Sequence, residues 1–358
     1  MNVLTVVGNR PQFIKAAAVS RPLRQEHSET LVHTGQHFDD ELSRVFFDEL
    51  GLPSPDRELG IAKGSNTSQT ARMLRALEPV VAELRPDALL VYGDTNSTLA
   101  GALAGAQVRT AVAHVEAGMR SFDRSMPEEL NRVLVDHASV LLLCSSQVAV
   151  GNLDREGVSG SVELVGDVMV DIAAKVQPHA RERVELVRER GLEPGEYVVA
   201  TAHRAGNVDD PQRLNMLVEL LLALPSRVLL PLHPRTHGRL RAAGLLERLQ
   251  RSDRMVITPP LGYVEFTALV CNAAAVLTDS GGVQKEAYLA GVRCVTLRPS
   301  TEWVETVQAG WNTLVDLDRE AAAAALQAPL PDERPPLYGD GQASERVVRA
   351  LTLHLGAG

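Results

Sequence analysis

The segment Thr278-Asp-Ser-Gly-Gly-Val-Gln-Lys-Glu286 has the residue types of a phosphate-binding turn. It follows the apolar run Ala273–Leu277, which is of strand length, and it leads into a helical pattern. A strand-to-helix turn presents free backbone N–H groups, and Gly281 and Gly282 would let an anion approach closely. Glu286, one turn into the helix, is placed to accept hydrogen bonds from sugar hydroxyls. The alternative is a tight turn whose glycines serve packing, and this segment alone does not decide between the two.

Two cations follow the first apolar run of the chain, Asn2–Val7. Pro11 suits the first turn of a helix, so Arg10 and Lys15 are expected near a helix start. The helix dipole favours anions at that end, and two cations there are explained if a phosphate also binds. We therefore favour an anion site over a pair of solvated side chains.

Three carboxylates lie at predicted strand ends or helix starts. Asp94 follows the apolar run Leu89–Tyr92, where capping the next helix is the commonest role of an aspartate. Glu116 ends an otherwise apolar strand, a position that is unfavourable for a carboxylate unless it is solvated, paired or functional. Glu128 begins a helix, where it could simply offset the dipole, with Arg132 as its i,i+4 partner.

The second half of the chain places histidines in the same way. His203 and Arg204 follow the run Tyr197–Thr201, and His233 follows Val228–Leu232. One such histidine is weak evidence, because many satisfy only a local hydrogen bond. Several carboxylates, two histidines and a phosphate turn together indicate acid–base chemistry. No cysteine pair stands at ligand spacing, and we expect no metal.

The composition indicates a globular protein without a polyanionic partner. A length of 358 residues predicts two domains, and a net charge of −9 argues against binding nucleic acid or an acidic membrane. The three cysteines are far apart, and a sparse, odd count fits a reducing compartment. The apolar start, Asn2–Val7, is too short to span a bilayer. We expect a cytoplasmic protein.

Apolar, β-branched runs alternate with helical patterns along the whole chain. This alternation predicts two doubly wound, Rossmann-like α/β domains whose strand ends face a central cleft. No Gly-x-Gly-x-x-Gly occurs, which counts against a nicotinamide enzyme. Strands are expected at 2–7, 30–33, 88–92, 110–114, 140–144, 162–165, 197–201, 227–230, 255–258, 275–278, 293–297 and 312–315. Helices in the first half are expected at 12–24, 40–50, 68–84, 96–106, 128–137 and 146–156.

The division between the domains is expected before the charged segment Gln177–Arg190. That segment predicts an amphipathic helix, with a linker at 166–180. The predicted domains are therefore 1–168 and 169–342. Four prolines between Pro329 and Pro336 interrupt the end of the second domain, and a final helix at 343–355 could pack back on the first domain.

The chain resembles the non-hydrolysing UDP-N-acetylglucosamine 2-epimerase family. The matching segments run in family order over nearly the whole chain, and the ordered set is highly specific. They are Gly8-Asn-Arg-Pro-Gln-Phe-Ile-Lys15, Gly35-Gln-His37, Tyr92-Gly-Asp-Thr-Asn-Ser97, His114-Val-Glu-Ala-Gly-Met-Arg-Ser121, Met126-Pro-Glu-Glu-Leu-Asn-Arg132, Ala202-His-Arg204, Thr278-Asp-Ser-Gly-Gly-Val-Gln-Lys-Glu286 and Thr301-Glu-Trp303.

The resemblance implies a glycosyltransferase-B type fold, a UDP-sugar as substrate, a homodimer and no cofactor. In the family, UDP leaves C1 as the C2 proton is lost, which gives a 2-acetamidoglucal. UDP then adds back, and the proton returns from the other face. The implied catalytic residues are Asp94, Glu116, Glu128 and His203. The implied substrate-binding residues are Arg10, Lys15, Arg132, Phe266 against the uracil, Ser280, Gly281, Gly282 and Glu286.

The chain departs from the family pattern at Gly206, where members usually carry a carboxylate. In several bacterial members this neighbourhood forms a second site at which the substrate activates the enzyme. The residues here that correspond to such a regulatory site are Gln36, His37, Arg204 and His233. We therefore expect weak activation or none.

Three other functions share parts of this pattern. A hydrolysing 2-epimerase would release UDP and free N-acetylmannosamine by the same elimination. A glycosyltransferase of the same fold would use the nucleotide site with a separate acceptor. A sugar-nucleotide sensor is the least favoured, because it would not need several carboxylates at the reacting end.

Overall fold

The computed structural model of the protein describes residues 1–36 and 50–356. The chain divides into two compact units, one formed by Met1–Ile172 with Pro336–Gly358 and the other by Ala173–Pro335. Each unit contains one sheet in which all paired strands are parallel. The predicted fold class, two doubly wound parallel α/β sheets, is confirmed.

The first sheet has the strand order β3-β2-β1-β4-β5-β6-β7. Its strands are β1 (Asn2–Val7), β2 (Ser28–His33), β3 (Arg57–Glu58), β4 (Ala88–Tyr92), β5 (Ala111–Ala117), β6 (Leu141–Cys144) and β7 (Ser161–Leu164). The order reverses direction between β1 and β4. In open sheets of this kind, ligands bind beyond the carboxyl ends of the strands at such a reversal.

The second sheet repeats this arrangement with the order β10-β9-β8-β11-β12-β13. Its strands are β8 (Tyr197–Thr201), β9 (Arg227–Pro231), β10 (Met255–Thr258), β11 (Ala275–Thr278), β12 (Arg293–Thr296) and β13 (Asn312–Leu314). Here the reversal lies between β8 and β11. The residues that follow these two strands are therefore the expected ligand-binding positions of the second unit.

Helices follow nearly every strand and cover both faces of each sheet, which buries the apolar strands almost completely. The helices of the described residues are α1 (Arg10–Glu26), α2 (Asn66–Leu84), α3 (Asn96–Gln107), α4 (Pro127–Ala138), α5 (Gln147–Glu156), α6 (Val168–Glu182), α7 (Val184–Arg188), α8 (Ala205–Val208), α9 (Pro211–Ala223), α10 (Pro234–Ala242), α11 (Leu246–Gln250), α12 (Tyr263–Cys271), α13 (Gly281–Ala290), α14 (Val304–Gln308), α15 (Arg319–Gln327) and α16 (Ala343–Leu355).

Helix α6 covers most of the segment 166–180 that was predicted to be the linker. The carboxylate of Asp167 accepts a hydrogen bond from the Met169 amide at 2.8 Å, which starts the helix. Val168, Met169 and Ile172 are buried on its inner side. The chain thus passes from the first unit to the second inside a helix, between Ile172 and Ala173.

The predicted amphipathic helix Gln177–Arg190 also differs from the structure. Helix α6 continues through Pro178 to Glu182, and Arg183 leaves the helical conformation with ψ at 47°. Helix α7 then begins at Val184. The charge pattern alone did not reveal that the apolar residues before Gln177 extend the helix backwards.

The C-terminal helix α16 belongs to the first unit, where it packs on α1. The Asp171 carboxylate accepts hydrogen bonds from the Ala343 and Ser344 amides at 3.1 and 2.9 Å. The His27 ring and the Thr352 hydroxyl are hydrogen-bonded at 2.8 Å. These contacts fix both ends of the helix to the first unit.

Two predicted features cannot be compared with the structure. The predicted helix at 40–50 and the candidate His37 lie outside the described residues, except for Leu50. The edge strand β3 was not predicted, because two residues are too few to show an alternating pattern.

Among the residues that the structure describes, none of the helices has the length and apolar character needed to cross a membrane.

Candidate active site

Lys15 and Glu116 form an ion pair at the carboxyl end of the first sheet. Lys15 is on α1 and Glu116 is on β5, and their side chains are only 11% and 10% exposed. Gly93, which follows β4, has φ of +64°. A Cβ atom at Gly93 would lie 3.2 Å from Lys15 Nζ and 3.3 Å from Glu116 Oε2. Glycine is therefore required there both by its backbone and by the close ion pair.

Glu116 has an unusual backbone conformation. Its φ is +72°, in the left-handed region, and the pairing of β5 with β6 shifts register between Val115 and Ala117. Glu116 is thus the extra residue of a β-bulge, a device that turns a side chain away from its ordinary direction. A non-glycine residue in this conformation is strained, and such strain is concentrated at functional sites.

Asp94 forms an ion pair with Arg132, which is 2% exposed. Arg132 also donates to Glu129 at 3.0 Å, and the Asn131 side chain donates to the Asp94 carbonyl at 2.9 Å. Asp94 does not cap α3, since Thr95 performs that role. The structure therefore places Arg132 beside the candidate catalytic carboxylate Asp94.

Glu128 and Glu129 begin α4 and have different surroundings. Glu128 is partly exposed, and its side chain makes no hydrogen bond to any residue that the structure describes. Glu129 is buried and accepts hydrogen bonds from the Ser121 amide at 2.9 Å and the Phe122 amide at 2.8 Å. Glu129 thus holds the loop after β5, a role that sequence reasoning missed because its partners lie on another segment.

Arg10 is the first residue of α1 and is partly exposed, with Asn9 as the helix cap. The side-chain oxygen of Gln36 accepts hydrogen bonds from the Ser97 amide at 3.0 Å and the Ser97 hydroxyl at 2.7 Å. The candidate regulatory residue Gln36 is therefore attached to the start of α3, at the same end of the sheet as Asp94.

Asp279 organises the site of the second unit. Its buried carboxylate accepts hydrogen bonds from the His203 amide at 3.1 Å and the Arg204 amide at 3.0 Å. It also accepts one from the Asn207 side chain at 3.1 Å, and it lies 3.5 Å from His203 Nδ1. Asp279, at the end of β11, thus fixes the loop that carries two candidate residues, and sequence reasoning assigned it no role.

His203 and His233 stack with ring centroids 5.1 Å apart and an interplanar angle of 28°. His233 caps α10, where its Nδ1 accepts a hydrogen bond from the Arg235 amide at 3.1 Å. That nitrogen therefore carries no proton in this arrangement. The structure brings together a candidate catalytic histidine and a candidate regulatory one.

The two glycines of the predicted phosphate turn have different roles. Helix α13 begins at Gly281, and no described side chain caps its first amides, which remain available to an anion. A Cβ atom at Gly281 would collide with Glu302, whereas Gly282 is exposed and a Cβ atom there would meet only Ser280 Oγ, at 4.0 Å. Gly281 thus serves packing as well, and Gly282 leaves room for a ligand.

Glu302 lies against this turn in a buried ion-pair cluster. It pairs with Arg298 at 2.9 Å and with Arg204 at 3.8 Å. Burial lowers the pKa of Arg298, and the nearby Glu302 works against that shift. The segment Thr301-Glu-Trp303 was one of those that match the family, but the sequence alone predicted no role for Glu302.

The remaining candidates of the second unit are Glu286 and Phe266. Glu286, on α13, is partly exposed. Phe266, on α12, is only 6% exposed and belongs to an apolar cluster that covers one face of the second sheet. Most of the Phe266 ring is thus covered by the protein's own side chains.

The arrangement can hold negative charge and exchange protons. Two carboxylates of the first unit, Asp94 and Glu116, are each paired with a cation. In the second unit, an uncapped helix start stands beside two histidines. No group of three or more potential metal ligands was found within residues 1–36 and 50–356.

Comparison with known proteins gives matches over nearly the whole chain. A family model described as UDP-N-acetylglucosamine 2-epimerase matches residues 21–352. A UDP-2,3-diacetamido-2,3-dideoxy-D-glucuronate 2-epimerase of Pseudomonas aeruginosa is 46% identical over 98% of this chain and 99% of its own. A UDP-N-acetylglucosamine 2-epimerase homolog of Methanococcus maripaludis is 43% identical over 98% of this chain and 99% of its own.

A solved structure is also similar throughout. It is the UDP-GlcNAc 2-epimerase of Methanocaldococcus jannaschii in complex with UDP-GlcNAc and UDP, at 39% identity and a TM-score of 0.92. The match covers 99% of this chain and 100% of the other.

Proposed function

Since the chain belongs to the UDP-N-acetylglucosamine 2-epimerase family, we propose that it interconverts UDP-N-acetylglucosamine and UDP-N-acetylmannosamine, or a closely related UDP-2-acetamido sugar. The observation that carries the proposal is the pair of cation-bound carboxylates, Asp94 and Glu116, at the strand reversal of the first unit. A reaction that removes a proton from one face of C2 and returns it to the other needs two proton carriers.

The proposed reaction is an elimination followed by the reverse addition. The C1–oxygen bond breaks, UDP leaves with the bonding electrons, and the C2 proton passes to a carboxylate, which leaves a 2-acetamidoglucal. UDP then re-adds at C1 as a proton is delivered to the opposite face of C2. We assign the proton transfers and stabilisation of the electron-poor C1 to Asp94, Glu116, Glu128 and His203.

The departing diphosphate needs positive charge. We assign this role to Arg10 and Lys15 in the first unit and to the uncapped start of α13, with Ser280, Gly281 and Gly282, in the second. Glu286 is assigned to the ribose hydroxyls, and Phe266 contributes the apolar wall of the uracil site. We also assign Arg132, which is paired with Asp94, to binding the substrate's nucleotide.

A second UDP-sugar is a candidate substrate because of the sequence identities to two relatives. The Pseudomonas relative that is named for a UDP-diacetamido-glucuronate is 46% identical, whereas the Methanocaldococcus relative that is named for UDP-N-acetylglucosamine is 39% identical. The two sugars differ at C3 and by a carboxylate, so an enzyme adapted to one should discriminate against the other.

The test is incubation with each UDP-sugar in D₂O, followed by NMR. Deuterium at C2 of an intact UDP-sugar, together with appearance of its 2-epimer, is the expected result. Free UDP with free N-acetylmannosamine would mean hydrolysis. Transfer only when an acceptor sugar is added would mean a glycosyltransferase, and binding without any turnover would mean a sensor. The ratio of kcat/KM for the two UDP-sugars identifies the preferred one.

A homodimer is proposed as the working form. Leu130 and Leu134 are one turn apart on α4, so they share a face of that helix, and they are 60% and 42% exposed. Phe122, in the preceding loop, is 70% exposed. Light scattering of the wild type and of Leu130→Glu tests this: a dimer that dissociates in the variant supports it, and a monomeric wild type contradicts it.

The reaction is assigned to the cytoplasm. Cys144, Cys271 and Cys294 are all unbridged and buried. Three unpaired thiols fit a reducing compartment.

A further inference from the structure

His114 is completely buried on β5 and is bound through both ring nitrogens. Its Nε2 lies 2.7 Å from the Gly93 carbonyl oxygen, and its Nδ1 lies 2.7 Å from Oδ1 of Asp136 on α4. A carbonyl oxygen can only accept a hydrogen bond, and an ionised carboxylate can only accept. Both ring nitrogens must therefore donate, which makes His114 an imidazolium.

Asp136 is ionised because of its surroundings. Its Oδ2 accepts hydrogen bonds from Arg120 Nη1 at 2.7 Å and from the Gly118 amide at 3.1 Å. Burial by itself would raise the pKa of Asp136, but His114 and Arg120 outweigh it and hold that pKa below its ordinary value.

The charges of this cluster balance. Arg120 continues to Glu156 on α5 through two hydrogen bonds of 2.7 and 2.6 Å. The cluster therefore contains two cations, His114 and Arg120, and two anions, Asp136 and Glu156. The other titratable groups beside it are His137, 3.8 Å from Glu156, and Cys144, whose thiol remains protonated because burial raises its pKa to about 12.

The cluster holds the two backbone segments that carry the proposed proton carriers. Through the Gly93 carbonyl, His114 fixes the peptide that leads directly to Asp94. Through the Gly118 amide, Asp136 fixes the chain two residues after Glu116. The Gly93 amide also donates to the Val115 carbonyl at 3.0 Å. The bulge with the strained Glu116 is thus held from both sides.

We propose that His114, as a buried imidazolium bound to Asp136, is a positioning residue that sets the Gly93–Asp94 turn against the Glu116 bulge. This inference rests on the proposed function, because Asp94 and Glu116 are the groups that it positions. The loss of this bridge should lower kcat, since a displacement of about 1 Å in a reacting group can lower a rate about a hundredfold. Substrate affinity should change little, because neither His114 nor Asp136 is assigned to substrate binding.

The first test is spectroscopic and needs no substrate. Two-dimensional ¹H–¹⁵N NMR of protein with ¹⁵N-labelled histidine, at pH 7.5, should show one ring with protons on both nitrogens and no exchange with bulk water. That signal should disappear in His114→Gln, which assigns it. A His114 ring with a single proton in the wild type would overturn the inference, whatever the enzyme's activity.

The second test separates positioning from stability. We expect His114→Gln and Asp136→Asn to lower kcat about tenfold to a hundredfold, while KM and the Kd of UDP stay within about threefold. In Asp136→Asn, an NH₂ group turned toward Arg120 faces another donor, whereas one turned toward His114 requires Nδ1 to give up its proton, so either orientation removes the imidazolium–carboxylate bridge. The matched control is Glu156→Gln, which keeps a hydrogen bond to Arg120 at the edge of the cluster and should stay within about threefold of the wild type.

Two results would overturn the positioning role: an unchanged kcat in both variants, or a loss of kcat that merely follows the loss of UDP-binding capacity. Failure of the proposed function is a separate result, since it would appear as a wild type that does not epimerise either UDP-sugar. The imidazolium signal would still decide whether the buried bridge exists.

Discussion

Glu116 is held against Lys15 by a backbone that an ordinary residue avoids. The ion pair joins the start of α1 to the bulge of β5, and the carboxylate is carried by a residue with φ of +72°. The left-handed conformation costs an ordinary residue about 1–2 kcal/mol. The fold thus accepts local strain in order to direct one carboxylate, which is the arrangement expected of a functional group.

The first prediction concerns the three candidate carboxylates. Asp94→Asn, Glu116→Gln and Glu128→Gln should each lower the rate of epimerisation at least about a hundredfold, the usual scale for the loss of an acid–base group. Nucleotide binding should largely survive. Initial rates and calorimetric titration with UDP measure the two quantities.

The control for these variants is Glu83→Gln, which neutralises an exposed carboxylate of the same unit. Its rate should equal that of the wild type. Near-normal rates in all three test variants would remove these residues from the catalytic assignment.

The second prediction concerns the strain at Glu116. Glu116→Gly should be more stable than Glu116→Ala by about 1 kcal/mol, because glycine adopts a positive φ without the clash of a Cβ atom. Both variants lose the ion pair with Lys15, so that loss cancels in the comparison. Urea unfolding of the two variants gives the difference.

The matched pair is Arg72→Gly and Arg72→Ala, at an exposed position inside α2. There the order should be reversed, with alanine more stable by about 1 kcal/mol. The same order at both positions would mean that the bulge does not strain Glu116.

The third prediction concerns regulation at Gly206. The wild type should give a hyperbolic rate curve, and the reaction from the 2-epimer should begin without a lag. A missing charge-assisted hydrogen bond costs about 1.5–3 kcal/mol, or roughly ten- to a hundredfold in affinity for an activating ligand. Initial rates with and without a trace of UDP-N-acetylglucosamine decide this.

Gly206→Glu is a suitable variant for comparison, because it places a carboxylate at this position. The position is exposed, and a Cβ atom there would meet no atom within 4 Å, so the change should alter stability by less than about 0.5 kcal/mol. A lag in the wild type that a trace of substrate abolishes would show that Gln36, His37, Arg204 and His233 suffice for activation.

The fourth prediction concerns the buried thiols. Burial raises the pKa of Cys144 and of Cys294 to about 12, and it also raises the pKa of Cys271. The native protein should therefore react slowly with a thiol reagent at pH 8, whereas the unfolded chain should react at all three cysteines.

The same shifts give a pH dependence with a defined sign. The raised pKa values stabilise the folded state fully below the ordinary thiol pKa of about 8.5, and this contribution is lost as the pH rises toward about 12. Fast reaction of the native protein at pH 8 would contradict the assigned burial.

Strand positions could be read from the sequence because their signal is local. The runs Ala88–Tyr92 and Tyr197–Thr201 are apolar, β-branched and bounded by turn residues, and the structure gives them the predicted bounds. The first part of helix α6 was missed, because the sequence reading assigned residues 166–180 to a linker and began the helix only at Gln177.

The polar contacts of the site could not be read in this way. Asp279 binds the His203 amide across 76 residues, and Asp136 binds His114 across 22. Such partners are set by the packing of separate elements, which one sequence does not show. The bulge at Glu116 was hidden for the same reason, since it depends on the register between β5 and β6.

The return of α16 to the first unit has a consequence for synthesis of the protein. The second unit, Ala173–Pro335, is complete before the last residues of the first unit have been made. Domains usually fold in order from the N-terminus as the chain emerges from the ribosome. Here the first unit cannot complete its folding until residues 336–358 are released. Until then, Asp171 and the surface of α1 remain uncovered. The first half of the protein is therefore the last to be finished.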